Sequence, residues 1–205
     1  MGIRLALAAF VAVTMSAQTP TAAQKEAALG QLMAQQFRER QTIVENAEAQ
    51  AYVERIVGEL ARLQPGDGAC CTVEIYTSVE APDKPAVYPG GYLFVPAKLF
   101  QTARDEEAFV LAMAHAVAHA RQRDWTVRDA QPGAASIPLT TVWSADGDVG
   151  SMPIGMQRQL AEREQQADQA AEESALQIRT GSGEFERIRE QAGLPEPQPR
   201  PSLQQ

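Results

Sequence analysis

The sequence predicts an α+β domain, mostly helical with a small β-sheet, on three observations. Ala, Gln, Glu and Leu are abundant while aromatic residues make up only 6% of the chain, which favours helix over an all-strand architecture. Several long stretches repeat apolar residues at helical spacing, whereas two short segments, 72–78 and 86–95, read as extended chain. The 205 residues, 44% of them apolar, suffice for one domain with its own core.

The first element is a leader. In MGIRLALAAFVAVTMSAQ, Arg4 precedes an apolar run from Leu5 to Val13 and then small residues around Ser16 and Ala17, the pattern of a secretory signal peptide over residues 1–17. The run is well short of the roughly 20 residues that a spanning helix needs. No later stretch could span a bilayer, so the mature protein is expected to be periplasmic or secreted, with no stable membrane span after cleavage. Removing the leader moves the formal charge from -8 to -9, 17 basic against 26 acidic residues. That balance speaks against nucleic acid as a partner, since phosphate binding needs clustered Lys and Arg.

Helix is expected over 21–40 and again over 47–63, where Val53, Ile56, Val57, Leu60 and Leu63 form a buried stripe that Pro65, Gly66 and Gly68 terminate. Segment 72–78 (TVEIYTS) alternates Val73 and Ile75 with polar residues, so one face is expected buried and the other wet. Segment 86–95 carries a Pro89-Gly90-Gly91 turn, and the two segments suggest a hairpin-like sheet. Pro96 is expected to open a short helix to Thr102. Asp105, Glu106 and Glu107 then suit the positive end of a long central helix, and Arg121 and Arg123 its negative end. Residues 128–153 read as a long loop, commonly a functional element. Helix resumes over 157–178 and briefly over 184–191, before a Pro-rich, disordered or extended tail at 192–205.

Cys70 and Cys71 are the only thiols. Across a trans peptide their Cα atoms lie about 3.8 Å apart, below the usual disulfide range. A strained vicinal disulfide, an intermolecular bridge and two buried thiols all remain open, and the last is the expectation.

The chemistry concentrates on two histidines, the only ones in the chain. His115 and His119 stand at i and i+4 in the central helix, on one face, where two imidazoles can share a metal ion. Two histidines placed at random fall four apart about once in a hundred, so the competing reading, two neutral core histidines, stays open. A catalytic zinc site needs a third protein ligand and an open position. With no third histidine, the best placed candidates are Glu164 and Asp168, which share a helix face beside Leu160, Ala167 and Ala171. An ordinary solvated acidic helix is the alternative there.

The succession of LG near Gly30, AYVERIVGELA at 51–61, VYPGGYLFV at 87–95, the DEEAFVLAMAHAVAH helix and EQQAD at 164–168 closely resembles the HtpX and CAAX-prenyl-protease family of zinc metallopeptidases, peptidase family M forty-eight. The resemblance covers residues 26–180 and is nearest to the soluble periplasmic branch, without its tetratricopeptide extension. It implies a gluzincin-like metallopeptidase domain binding one zinc per chain through His115, His119 and Glu164, with Asp168 orienting a histidine ligand. It also implies a strand edge after Pro-Gly-Gly that takes an extended or misfolded protein.

Two departures from the family pattern stand out. Lys84 and Pro85 replace the usual Asn-Ala before the Pro-Gly-Gly segment. Ala116 occupies the position of the glutamate in H-E-x-x-H, the base that takes a proton from the attacking water and passes it to the leaving amine. The reading is therefore a zinc-binding pseudopeptidase of the cell envelope. Its rivals are an active peptidase using a substitute base from the loop, such as Asp129, Asp146 or Asp148, and a metal-free interaction protein.

Overall fold

The computed structural model describes residues 20–66, 70–77, 84–122 and 154–191. The leader, the 128–153 loop with Asp129, Asp146 and Asp148, and the 192–205 tail lie outside the described residues. Among those described, six helices and four strands form a mixed α+β structure, helices predominating.

Helix α1 (Ala22–Arg40) starts at Thr21, whose side chain accepts from the Gln24 backbone while Gln24 reaches back to the Thr21 N–H, a reciprocal capping box. Strand β1 (Thr42–Ile43) follows, then α2 (Ala47–Leu63), capped by Asn46. Strands β2 (Thr72–Thr77), β3 (Ala86–Tyr88) and β4 (Tyr92–Pro96) complete a sheet of order β1-β2-β4-β3. Only β3 and β4 form a hairpin, turning through Pro89-Gly90-Gly91, where both glycines have positive φ, at 75° and 79°. The expected hairpin-like sheet needs correcting at β2, which runs parallel to β4, Val73 opposite Leu93 and Ile75 opposite Val95.

The sheet is covered on both faces. Val73, Ile75, Val87, Leu93 and Val95 face the main core with α2 and the central helix. The other face, expected wet, is closed by α1: Phe37 stacks on Phe94 at 4.1 Å and meets Tyr76 edge-on at 4.8 Å. Glu74 on that face accepts a two-pronged hydrogen bond from Arg38 of α1. Gly30 permits the contact, because a β-carbon there would run into the Pro89 carbonyl.

After β4 come α3 (Leu99–Thr102), α4 (Glu106–Gln122), α5 (Ile154–Ala175) and α6 (Glu184–Gln191). Pro96 ends β4 rather than opening the short helix. Tyr52, Phe100, Phe109 and Phe185 form one buried aromatic cluster that locks α6 onto α2 and α4. Beside it the buried carboxylate of Glu106 accepts from Tyr52 Oη at 2.9 Å and from the Gly181 N–H at 2.5 Å. Burial, then this hydrogen bond, pushes the Tyr52 hydroxyl far above its usual range, so it stays a donor.

The stripe on α2 is buried at Val53, Ile56, Val57 and Leu60, but Leu63, in its last turn, is exposed. Cys70 and Cys71 are half-buried against the core and joined as a vicinal disulfide. The expectation of two thiols assumed a trans peptide; the bond is cis, and the Cα atoms are 3.0 Å apart. No helix among the described residues is long and apolar enough to cross a membrane.

Candidate metal centre

α4 is built almost wholly of alanine and larger apolar residues between its charged ends, so both histidines are carried on a buried helix. His115 and His119 are one turn apart and their ring centroids are 4.6 Å apart. α5 runs antiparallel beside it, since His119 meets Glu164 while His115 meets Asp168. The two helices approach through Ala118, Ala167 and Ala170, whose small side chains let the backbones come close. That approach is what delivers two carboxylates to two imidazoles.

Three side chains converge. The Nε2 atoms of His115 and His119 are 2.9 Å apart, and the Glu164 carboxylate reaches them at 3.2 Å and 3.4 Å, one oxygen to each. Among the described residues this is the group of His, Cys, Asp and Glu side chains able to hold a metal ion. On its far side, His115 Nδ1 lies 3.0 Å from Asp168 Oδ1. A carboxylate accepts, so Nδ1 carries the proton and Nε2 keeps its lone pair for the centre.

The centre has a buried wall and an open side. The His119 side chain is only 4% exposed, whereas Glu164 is 43% and Asp168 63% exposed. Burial, and then the adjacent His119, holds His115 below its ordinary basicity, against the opposing pull of Glu164 and Asp168. Glu164 is held below the usual carboxylate range, first by its hydrogen bond to His119 and more weakly by the charges of both histidines and Lys84. The directions at His115 and Glu164 therefore favour a neutral His115 imidazole and an ionised Glu164 carboxylate, the forms in which these two groups bind a metal ion.

All four residues singled out from spacing and resemblance are thus brought together. Ala116 lies one residue beyond His115 but is 3% exposed and packs in the main core. Lys84, exposed just before β3, contributes its charge to Glu164, which spacing along the chain could not reveal. Gln64 and Ser174, a buried polar pair between α2, α4 and α5, also escaped the sequence reading, because nothing in composition or charge marks a buried glutamine at a helix end.

No protein-family model matches the chain, and no curated protein matches it. The assignment of the centre accordingly rests on the convergence of His115, His119 and Glu164 and on the hydrogen bond from His115 to Asp168.

Proposed function

We propose that the protein is a zinc-binding, gluzincin-like relative of the HtpX and CAAX-prenyl-protease metallopeptidases, impaired in hydrolysis because the base is missing. The observation that carries this reading is the convergence of two Nε2 atoms and one carboxylate. Tetrahedral zinc with bonds of about 2.0–2.2 Å puts neighbouring donors roughly 3.3–3.5 Å apart. Each imidazole has one Glu164 oxygen near that spacing, Oε1 at 3.2 Å from His115 Nε2 and Oε2 at 3.4 Å from His119 Nε2, while the two Nε2 atoms, 2.9 Å apart, lie closer than it.

His115, His119 and Glu164 would hold the ion, leaving the exposed side of the centre for a ligand. When bound, zinc supplies Lewis-acid polarisation of a carbonyl and lowers the pKa of a coordinated water. Asp168 would keep the His115 ring turned and its Nδ1 protonated. No carboxylate follows His115 to accept the proton of the attacking water, because Ala116 offers a methyl group. General acid-base catalysis is typically worth about 10² to 10⁴ in rate, so slow turnover at most is expected. Alanine is also the best helix former, which keeps α4 and its ligands in place.

The client would be an extended or misfolded protein of the cell envelope. The strand after Pro-Gly-Gly, β4, is paired on both sides by β2 and β3 and is not the edge expected there; β3 ends the sheet order among the described residues, and an extended segment can add to that edge instead. The leader read in the sequence supports an envelope or secreted location, where such clients occur.

Restoring the base tests the reading. Because position 116 is buried, Ala116→Glu is paired with Ala116→Gln, which carries the same packing burden without a base. The expected result is zinc-dependent cleavage of casein by folded Ala116→Glu and none by Ala116→Gln. Comparable zinc-dependent cleavage by the unmodified protein would mean that another acid, such as Asp129, Asp146 or Asp148, already acts as base. A folded, zinc-loaded Ala116→Glu without activity would point to a cleft altered elsewhere, with Lys84 and Pro85 the first candidates.

A further inference from the structure

Gln64 closes α2, its backbone N–H bonding to the Leu60 carbonyl, and its side chain then turns inward to become 4% exposed. There Nε2 donates twice, to the Ala114 carbonyl at 2.7 Å and to Ser174 Oγ at 2.8 Å. Ser174 is itself buried, and its hydroxyl bonds back to the Ala170 carbonyl at 2.7 Å. That bond uses the only proton of the hydroxyl, so Ser174 presents a lone pair to Gln64. Both partners of Gln64 are acceptors. The amide must face them with its NH₂, and its Oε1 is left buried without a partner among the described residues.

The two acceptors belong to the two helices of the metal centre. Ala114 immediately precedes His115 in α4, and Ser174 stands in α5, the helix of Glu164 and Asp168, on its buried face two turns beyond Ala167. One primary amide therefore ties the backbone of the histidine helix to the helix of the carboxylates. For stability alone an apolar side chain of the same length would serve as well or better, since burying an unpaired carbonyl is unfavourable. Removing the amide also strands nothing: Ser174 keeps its bond to Ala170, and the Ala114 carbonyl lies within the continuous helix α4. What the amide supplies is a fixed lateral spacing and register, at the end away from His119 and Glu164, between two helices whose apolar contact is made by alanines.

We propose that Gln64 is a positioning residue for the metal centre, setting the approach of α4 and α5 so that Glu164 reaches His115 and His119 together. This rests on the metal-binding reading above. The test uses Gln64→Met, which keeps the length of the side chain and removes both donors, and Ser174→Ala, which removes one acceptor. Affinity for Zn²⁺ is measured by competition titration, the ligand geometry by the visible spectrum of the Co²⁺-loaded protein, and stability by the thermal midpoint of the metal-free protein. Ile188→Val, in the core on α6, serves as the control for general destabilisation.

The expected result is that Gln64→Met weakens Zn²⁺ binding about 10-fold, the low end of what groups that orient ligands contribute. Its Co²⁺ spectrum changes while its thermal midpoint stays level or rises. Ser174→Ala has a smaller effect in the same direction, and the double variant is no weaker than Gln64→Met alone, because both act through one amide. Ile188→Val lowers the midpoint and leaves affinity unchanged. If the unmodified protein binds zinc and Gln64→Met binds it equally with the same spectrum, the positioning role is wrong and the metal centre stands. If Ile188→Val weakens binding as much as Gln64→Met, the effect is general loosening and the positioning role is likewise wrong. Absence of metal uptake by the unmodified protein overturns both.

Discussion

His115 faces two environments at once. Its Nδ1 is committed to Asp168, and its Nε2 points at His119 and Glu164. Since burial and His119 hold it below its ordinary value of 6.5, the unfolded chain binds a proton in a range where the folded metal-free protein does not. Its contribution to stability is complete above about pH 6.5 and is lost as pH falls from there toward the lower folded value. Glu164, also held below its ordinary value, of 4.5, acts in the same direction at more acid pH. Urea unfolding of the metal-free protein is thus expected to show stability declining from pH 7 to pH 5, with a flatter profile in His115→Phe. A profile unchanged by that substitution would remove His115 as the source. This residue-level picture was partly legible beforehand: two histidines alone in 205 residues, one helical turn apart, stand out, and so do two acids on one helix face. The influence of Lys84 on Glu164 was not, because it depends on where the chain before β3 lies against α5.

At the scale of elements, helix boundaries followed from local signals. α2 begins after Asn46 and ends at Leu63 as its stripe and the following Pro65 dictate. Strand partners did not follow, because the alternation in TVEIYT identifies two faces without saying what covers the second. Tyr76 and Glu74 are drawn under α1 by Phe37 and Arg38, contacts more than thirty residues apart in sequence. The closeness of α1 to the Pro89-Gly90-Gly91 turn depends on Gly30. Gly30→Ala gains helix propensity but forces its methyl group against the rigid Pro89 carbonyl, so a net loss of about 1–3 kcal/mol is expected, the usual range for overpacking. The urea midpoint measures it. An unchanged or higher midpoint would mean that α1 shifts freely over the sheet.

The whole molecule sets a four-stranded sheet between α1 on one side and α2 with α4 on the other, with α5 laid along α4 and α6 sealed in by Phe185. The α+β class was legible from composition and periodicity; the parallel β2–β4 pairing and the covering of both sheet faces were not, because they are set by contacts distant in sequence. The four site residues lie on two helices that approach each other through Ala118, Ala167 and Ala170. In the proposed reading, a metal ion shared between those helices would bond them. The most direct measurement is the metal content of the purified protein by native mass spectrometry. About one zinc per chain is expected, lost in His115→Ala, His119→Ala and Glu164→Ala and retained with roughly 10- to 100-fold weaker affinity in Asp168→Asn. A protein that takes up no zinc, or a Glu164→Ala variant that binds it as well as the unmodified chain, would contradict the assignment.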